Sequence, residues 1–294
     1  MYPAPSIIAF TVLSGLGLGL LTFLGLDPNP PTGLAAFLWF GLGYALTLAG
    51  LAASAFHLGR PERALLAFTQ WRSSWLSREA VLSAAALLVM APHAAALVFL
   101  NRPLAGFGIA AAALCLITVY ATSMIYAQLR TVPRWNHWSV PVLFVISAIA
   151  GGALLSGAIW AAQLALSWLA VALVLHWVLG DAQFARRGAT LGSATGLGTL
   201  GSVRALEPPH TGTNYLLKEM VFVVARRHAQ RLRLIALILA CILPSLTLWL
   251  APASWPVLTA AIASHLTGML AARWLFFAEA EHTLSLYYGR PPTR

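Results

Sequence analysis

Charge is scarce in this sequence. Only 9% of its 294 residues are Asp, Glu, Lys or Arg, and eight of them are acidic. A soluble domain carries roughly 25% charged residues, enough to cover its surface in water. A chain that is 60% hydrophobic, with a mean hydropathy of +0.79, cannot do that. The shortage excludes a soluble globular fold and fits a chain solvated by lipid. Cysteine is rare too. Cys115 and Cys241 lie in separate apolar runs, which excludes a disulfide framework or a CxxC-type metal or redox pair and leaves small packing residues. The first run, "MYPAPSIIAFTVLSGLGLGLLTFLGL", lacks a basic n-region and is longer than a signal-peptide core, so it reads as a retained span.

What the sequence has in quantity is apolar runs long enough to cross a bilayer, about 20 residues each. Eight are predicted: Ser6–Leu26, Leu34–Phe56, Glu79–Leu100, Leu104–Ala127, Val140–Trp160, Gln163–Gly180, Leu232–Leu250 and Trp255–Ala278. The expected fold is therefore all-α, a polytopic membrane bundle forming one domain over 1–294 with a polar loop at about 181–231. Glycine in "GLGLGL" and "GLGYALTLAG" suits close helix contact in lipid. Sixteen of the eighteen Lys and Arg residues fall in alternate loops and the tail. Of the other two, Arg102 lies on the opposite side and Arg273 inside the eighth span. Basic loops stay cytoplasmic, so both termini and the large loop are expected there. A net charge of +10 spread over loops in this way is no nucleic-acid footprint.

Within the large loop, "LEPPHTGTNYLLKEMVFVVARRHAQRLR" has apolar residues at helical spacing from Tyr215 to Val224, followed by Arg226, Arg227, Arg231 and Arg233. It reads as an interfacial helix held on anionic lipid, a docking surface for a soluble partner, or a plain basic flank. Histidines raise the question of haem. No predicted span holds two of them several turns apart, so a stacked pair of b-type haems has no ligand set; single ligands such as His93 with His176 stay open. Next to Trp177 and Asp181, His176 reads as a hydrogen-bonded structural residue, and His265 as one satisfied by a neighbouring helix. Glu279, Glu281 and His282, at the end of the last span, either pair with loop arginines or join a proton path.

The richest polar stretch is "AFHLGRPERALLAFTQWRSSWLSREA" between spans two and three. His57 ends one span and Glu79 begins the next, on the same side. Arg60, Arg63, Arg72 and Arg78 surround them with positive charge, and Trp71 and Trp75 suit the headgroup level. A quinone headgroup needs these features. It is an aromatic ring with an oxygen at each end, and its partner must accept or return a proton near neutral pH. Histidine does so, a carboxylate such as Glu79 can relay that proton, and arginine can stabilise anionic forms. Otherwise, the arginines only mark the cytoplasmic side and His57 caps a helix. A second basic and aromatic stretch, "YAQLRTVPRWNHWSVP", lies on the same side and either walls this pocket or meets a partner.

"HLGRPERA…SWLSRE", with "TVPRWNHWSVP" after span four, resembles the membrane anchor subunits of the DMSO reductase family. The resemblance implies about eight helices in a bacterial inner membrane, anchoring a molybdopterin catalytic subunit through a ferredoxin-like iron–sulfur subunit. It implies a menaquinol or ubiquinone site at His57, with Glu79 as the glutamate closing the motif, and no haem in the anchor. The long "LEPPHTGTNYLLKEM" loop is similar to anchors of cytoplasmic sulfite-oxidising molybdoenzymes. Electrons are then expected to pass between the quinone pool and the iron–sulfur subunit, with His57, Arg60, Arg78 and Glu79 at the quinone. Nothing in the chain is expected to hold a metal or to catalyse alone. Two other classes remain, a secondary transporter and a b-type cytochrome subunit. Against a transporter stand the lack of Asp and Glu at the centre of any predicted span and of an interrupted mid-membrane helix.

Overall fold

The structure is a computed structural model that describes residues 1–56, 60–207, 228–250 and 254–288. Among the described residues, eight helices are long and apolar enough to span a membrane: α1 (Pro5–Leu26), α2 (Gly33–Ala55), α3 (Trp75–Leu100), α4 (Ala105–Ala127), α5 (Ser139–Ser156), α6 (Ile159–Arg187), α7 (Ala229–Leu250) and α8 (Trp255–Ala278). The described residues contain no strand. The all-α membrane bundle expected from composition is the fold observed.

Local chemistry moves several boundaries from their expected places. Helix α3 begins at Trp75, four residues before Glu79, because the Ser74 hydroxyl caps it by accepting from the Ser77 N–H at 3.4 Å. Glu79 therefore sits inside the helix rather than at its tip. Gly157, in the left-handed region at φ +73°, stops α5 short of the expected Trp160. Helix α6 runs seven residues past Gly180, ending at Gly188 with φ +59°.

Helix α1 is the hub, packing against α2, α4, α5 and α8. Its glycines permit this. A Cβ on Gly19 would collide with the backbone of Ala148 in α5, and one on Gly152 of α5 would collide with Gly19. Small residues thus bring the two backbones together, as dispersion-driven packing in lipid favours.

Helix α7 is irregular for a reason readable in sequence. Pro244 has no N–H to give to the carbonyl of Ala240, four residues back. Just before it, Ile238–Ile242 forms a π turn in which the Leu243 N–H bonds Ile238, bypassing Leu239. Two carbonyls are freed, and α8 takes both. Ser264 Oγ donates to Leu239 at 2.8 Å, and His265 Nδ1 lies 2.7 Å from the Ala240 oxygen. Gly268 lets the helices approach, since a Cβ there would strike Ala240.

One end of the bundle gathers the polar connections. The Met1 ammonium donates to the Ala280 carbonyl at 2.7 Å, the Thr283 N–H to Thr131 at 2.9 Å, and Tyr287 Oη to Ala194 at 2.6 Å. The N-terminus, the α4–α5 loop, the start of the α6–α7 loop and the segment after α8 therefore share one side.

Candidate functional site

Glu79 is 3% exposed, one turn inside α3. The Thr122 hydroxyl of α4 makes a short hydrogen bond to its Oε1. Thr122 Oγ1 also lies 3.1 Å from the Thr118 carbonyl. The hydroxyl hydrogen can therefore turn to Thr118 when the carboxyl carries its own proton, and to Glu79 when it does not. One turn along α4, buried Tyr126 is within electrostatic reach of both Glu79 and Arg273. Sequence reasoning gave no role to Thr122, Tyr126 or Arg273. A lone arginine in an apolar run was the available signal.

The other expected site residues lie elsewhere. His57 falls outside the described residues, as do Tyr215–Val224 and the following Arg226 and Arg227 of the large loop. Arg60 is exposed at the start of a short 3₁₀ helix, Pro61–Phe68, where its carbonyl accepts from the Arg63 N–H at 3.0 Å. Arg78 turns away from Glu79. Its Nε and Nη2 donate to the Trp71 and Arg72 carbonyls at 3.0 and 2.7 Å, and its guanidinium lies 4.3 Å from the Trp75 ring centre. Arg78 thus ties the α2–α3 connection onto α3 and steadies Trp75, which meets Tyr120 edge-on at 6.1 Å. Trp71 remains 54% exposed, as an interfacial tryptophan should.

At the same end of the bundle, two arginines and two carboxylates form a closed ring. Arg134 donates to Asp181 at 2.8 Å and to Glu279 at 2.7 Å. Arg233 donates twice to Asp181, at 2.8 and 2.6 Å, and through Nε to Glu279 at 2.8 Å. The ring joins the α4–α5 loop to α6, α7 and α8. Glu279 caps the C-terminus of α8, where the helix dipole disfavours a carboxylate, and two guanidinium groups offset that. Beneath it, Trp135 donates to the Phe276 carbonyl at 3.0 Å and its ring stacks on Phe276 at 5.3 Å. The "TVPRWNHW" stretch therefore packs inward at Arg134 and Trp135.

The histidines of the described spans are engaged. His93 Nδ1 lies 3.0 Å from the Leu104 carbonyl, and His265 meets the Ala240 carbonyl already described. Ser139 Oγ bridges His176 and His137, 2.9 Å from the Nδ1 of each. Burial, and then the charge of Arg186, lowers the His137 pKa from its ordinary value. Among the described residues, no group of three or more His, Cys, Asp or Glu is arranged to hold a metal ion.

Residues 2–289 match the family model of the DMSO reductase anchor subunit (DmsC). The chain belongs to this family. It is also 32% identical, over 329 aligned positions, to a sulfite dehydrogenase subunit of Allochromatium vinosum, an alignment covering 98% of this chain and 99% of that one. No solved structure matches. The family named by the "HLGRPERA…SWLSRE" resemblance is thus the family shown, and among its described residues this anchor-family member has eight helices long and apolar enough to span a membrane. Within it, the α3–α4 contact at Glu79 and Thr122 is the buried polar site beside the family motif.

Proposed function

We propose that this subunit anchors a molybdopterin catalytic subunit and a ferredoxin-like iron–sulfur subunit to the cytoplasmic face of a bacterial inner membrane, and that it passes electrons between them and the quinone pool. Residues 1–294 then act as one anchor domain, with the loop at about 181–231 and both termini on the cytoplasmic side. Family membership supports the anchoring role. The concentration of basic residues in alternate loops supports the orientation.

The observation that carries the quinone site is Glu79, a carboxylate buried at the polar end of the bundle with Oε1 held by Thr122. The residues present suit such a ligand: a carboxyl removed from bulk water, one turn along α3 from Trp75, which meets Tyr120 edge-on, and at the opposite end of the same interhelical stretch from His57. Quinone bound there supplies a carrier of electrons and protons that is soluble in lipid. His57 would hold a headgroup oxygen and exchange its proton. Glu79 would take or return that proton, and Thr122 would fix the carboxyl's orientation. Arg60 and Arg78 would contribute positive potential, Arg78 also by holding the connection in place.

Identity along the whole chain to a sulfite dehydrogenase subunit favours a sulfite-oxidising partner, which would send electrons into quinone. Purification of the tagged chain in gentle detergent tests the anchoring role. Co-purification of a molybdopterin protein and a ferredoxin-like subunit is expected. Repeated purification of the chain alone, from cells that express its neighbours, would contradict it.

A further inference from the structure

Between α1, α4, α5 and α8 lies a small cavity of about 20 Å³. Its polar lining is Thr11, Ser14, Thr122, Ser147, His265 and Arg273. Arg273 is 3% exposed and His265 is 1% exposed. Among the described residues, Nε and Nη1 of Arg273 have no hydrogen-bond partner, and neither has Nε2 of His265. The guanidinium carbon lies 3.6 Å from the centre of the Phe144 ring and 6.0 Å from that of Phe276, contacts that meet the charge without accepting its hydrogen bonds. Leaving a buried polar group unpaired is costly, so these atoms call for a ligand.

The hydrogen-bonding roles decide which ligand. The Ala240 carbonyl can only accept, so His265 Nδ1 carries the ring hydrogen and Nε2 presents a bare lone pair. The cavity is therefore lined by Arg273, which has unmet donors, and by His265, which has an unmet acceptor. Water can accept from one and donate to the other, whereas an anion would face the imidazole lone pair. The hydroxyls of Ser14 and Ser147 already donate to Phe10 and Leu143, leaving their oxygens as further acceptors. A volume of about 20 Å³ exceeds the roughly 10–15 Å³ a single water requires. Thr122 closes the circuit, because it lines this cavity and its hydroxyl bonds Glu79.

We propose that a water bound between Arg273 and His265 links Arg273, through Thr122, to Glu79, making Arg273 the water-bridged counter-ion of the Glu79 carboxylate. Arg273 is then a positioning residue: it stabilises the carboxylate left when Glu79 gives up its proton, without touching the quinone. The role of Arg273 rests on the quinone-site reading of Glu79; the water site does not.

Radiolytic footprinting of the intact complex tests the water directly. Met269 lines the cavity, whereas Met90 is buried away from it, and both are 4% exposed or less. Bound water should oxidise Met269 several-fold faster than Met90, and Arg273→Leu should remove that difference. Equal rates in the unmodified complex would overturn the water site. Quinone-linked turnover tests the counter-ion role. It should fall in Arg273→Gln, recover in part in Arg273→Lys, and fall in the near-isosteric Thr122→Val with Met269 labelling retained. Turnover with artificial dyes should hold throughout. Unchanged quinone-linked turnover in Arg273→Gln would overturn the counter-ion role. Failure of the underlying reading has a separate signature: Glu79→Gln turning over quinone normally while Met269 stays labelled. That result supports the water site and rejects the counter-ion.

Discussion

The Thr122 hydroxyl of α4 hydrogen-bonds the Glu79 carboxylate of α3 in a place closed to bulk water. A hydroxyl with two acceptors in reach, Glu79 and Thr118, follows the protonation of the carboxyl without moving the backbone. That is a useful property in the group proposed to exchange protons with quinone.

Thr122→Val keeps the shape of the side chain and removes this bond. Quinone-linked turnover of the complex should fall by about tenfold, the weight of one hydrogen bond to a charged group at about 1.5 kcal/mol. Activity with an artificial dye, which bypasses the membrane subunit, should stay unchanged. Steady-state assays with both acceptors measure the difference.

The arginine–carboxylate ring makes a different prediction, about stability. The Glu279 side chain is 5% exposed and holds both Arg134 and Arg233. Glu279→Ala leaves buried Arg134 and partly buried Arg233 to share half-exposed Asp181 alone, and should cost about 3 kcal/mol. Asp181→Asn should cost less, because the Asp181 side chain is half exposed. Denaturant unfolding of the purified subunit ranks the two variants.

His137 gives the structure a weak dependence on pH. Its pKa in the fold lies below the ordinary value of about 6.5. The unfolded chain therefore takes up a proton first as pH falls, and stability drops below about pH 6.5 until the folded pKa is passed. His137→Gln should flatten this loss in a series of thermal unfolding midpoints taken from pH 7.5 down to about 5. An unchanged slope would remove His137 as its source.

How much of this was legible in the sequence depends on the kind of signal. Apolar run length located all eight spans, since a bilayer sets the length directly. Helix ends were less legible. The cap at Ser74 is a three-residue pattern inside a polar stretch, and Gly157 sits in an otherwise continuous apolar run. Glu79 stood out as an acid at the rim of a greasy span, whereas its partner Thr122 is one hydroxyl in "YATSMIYA" with no periodicity to mark it. The pairing of Glu279 with loop arginines was one of the two readings its sequence position left open. Asp181 and Arg233 were not assigned to it, because only the tertiary fold brings α6, α7 and α8 to one point. The link between Pro244 and His265 was legible only in part: proline frees a carbonyl in any helix, but nothing in sequence says which neighbour claims it.

The most direct test of the account is Glu79→Gln in the intact complex, assayed side by side with a quinone analogue and an artificial dye. Quinone-linked turnover should fall by roughly 100-fold or more, the scale of a lost acid–base group, while dye-linked turnover is preserved. Equal activity with both, or an equal loss of both, would contradict a quinone site at Glu79.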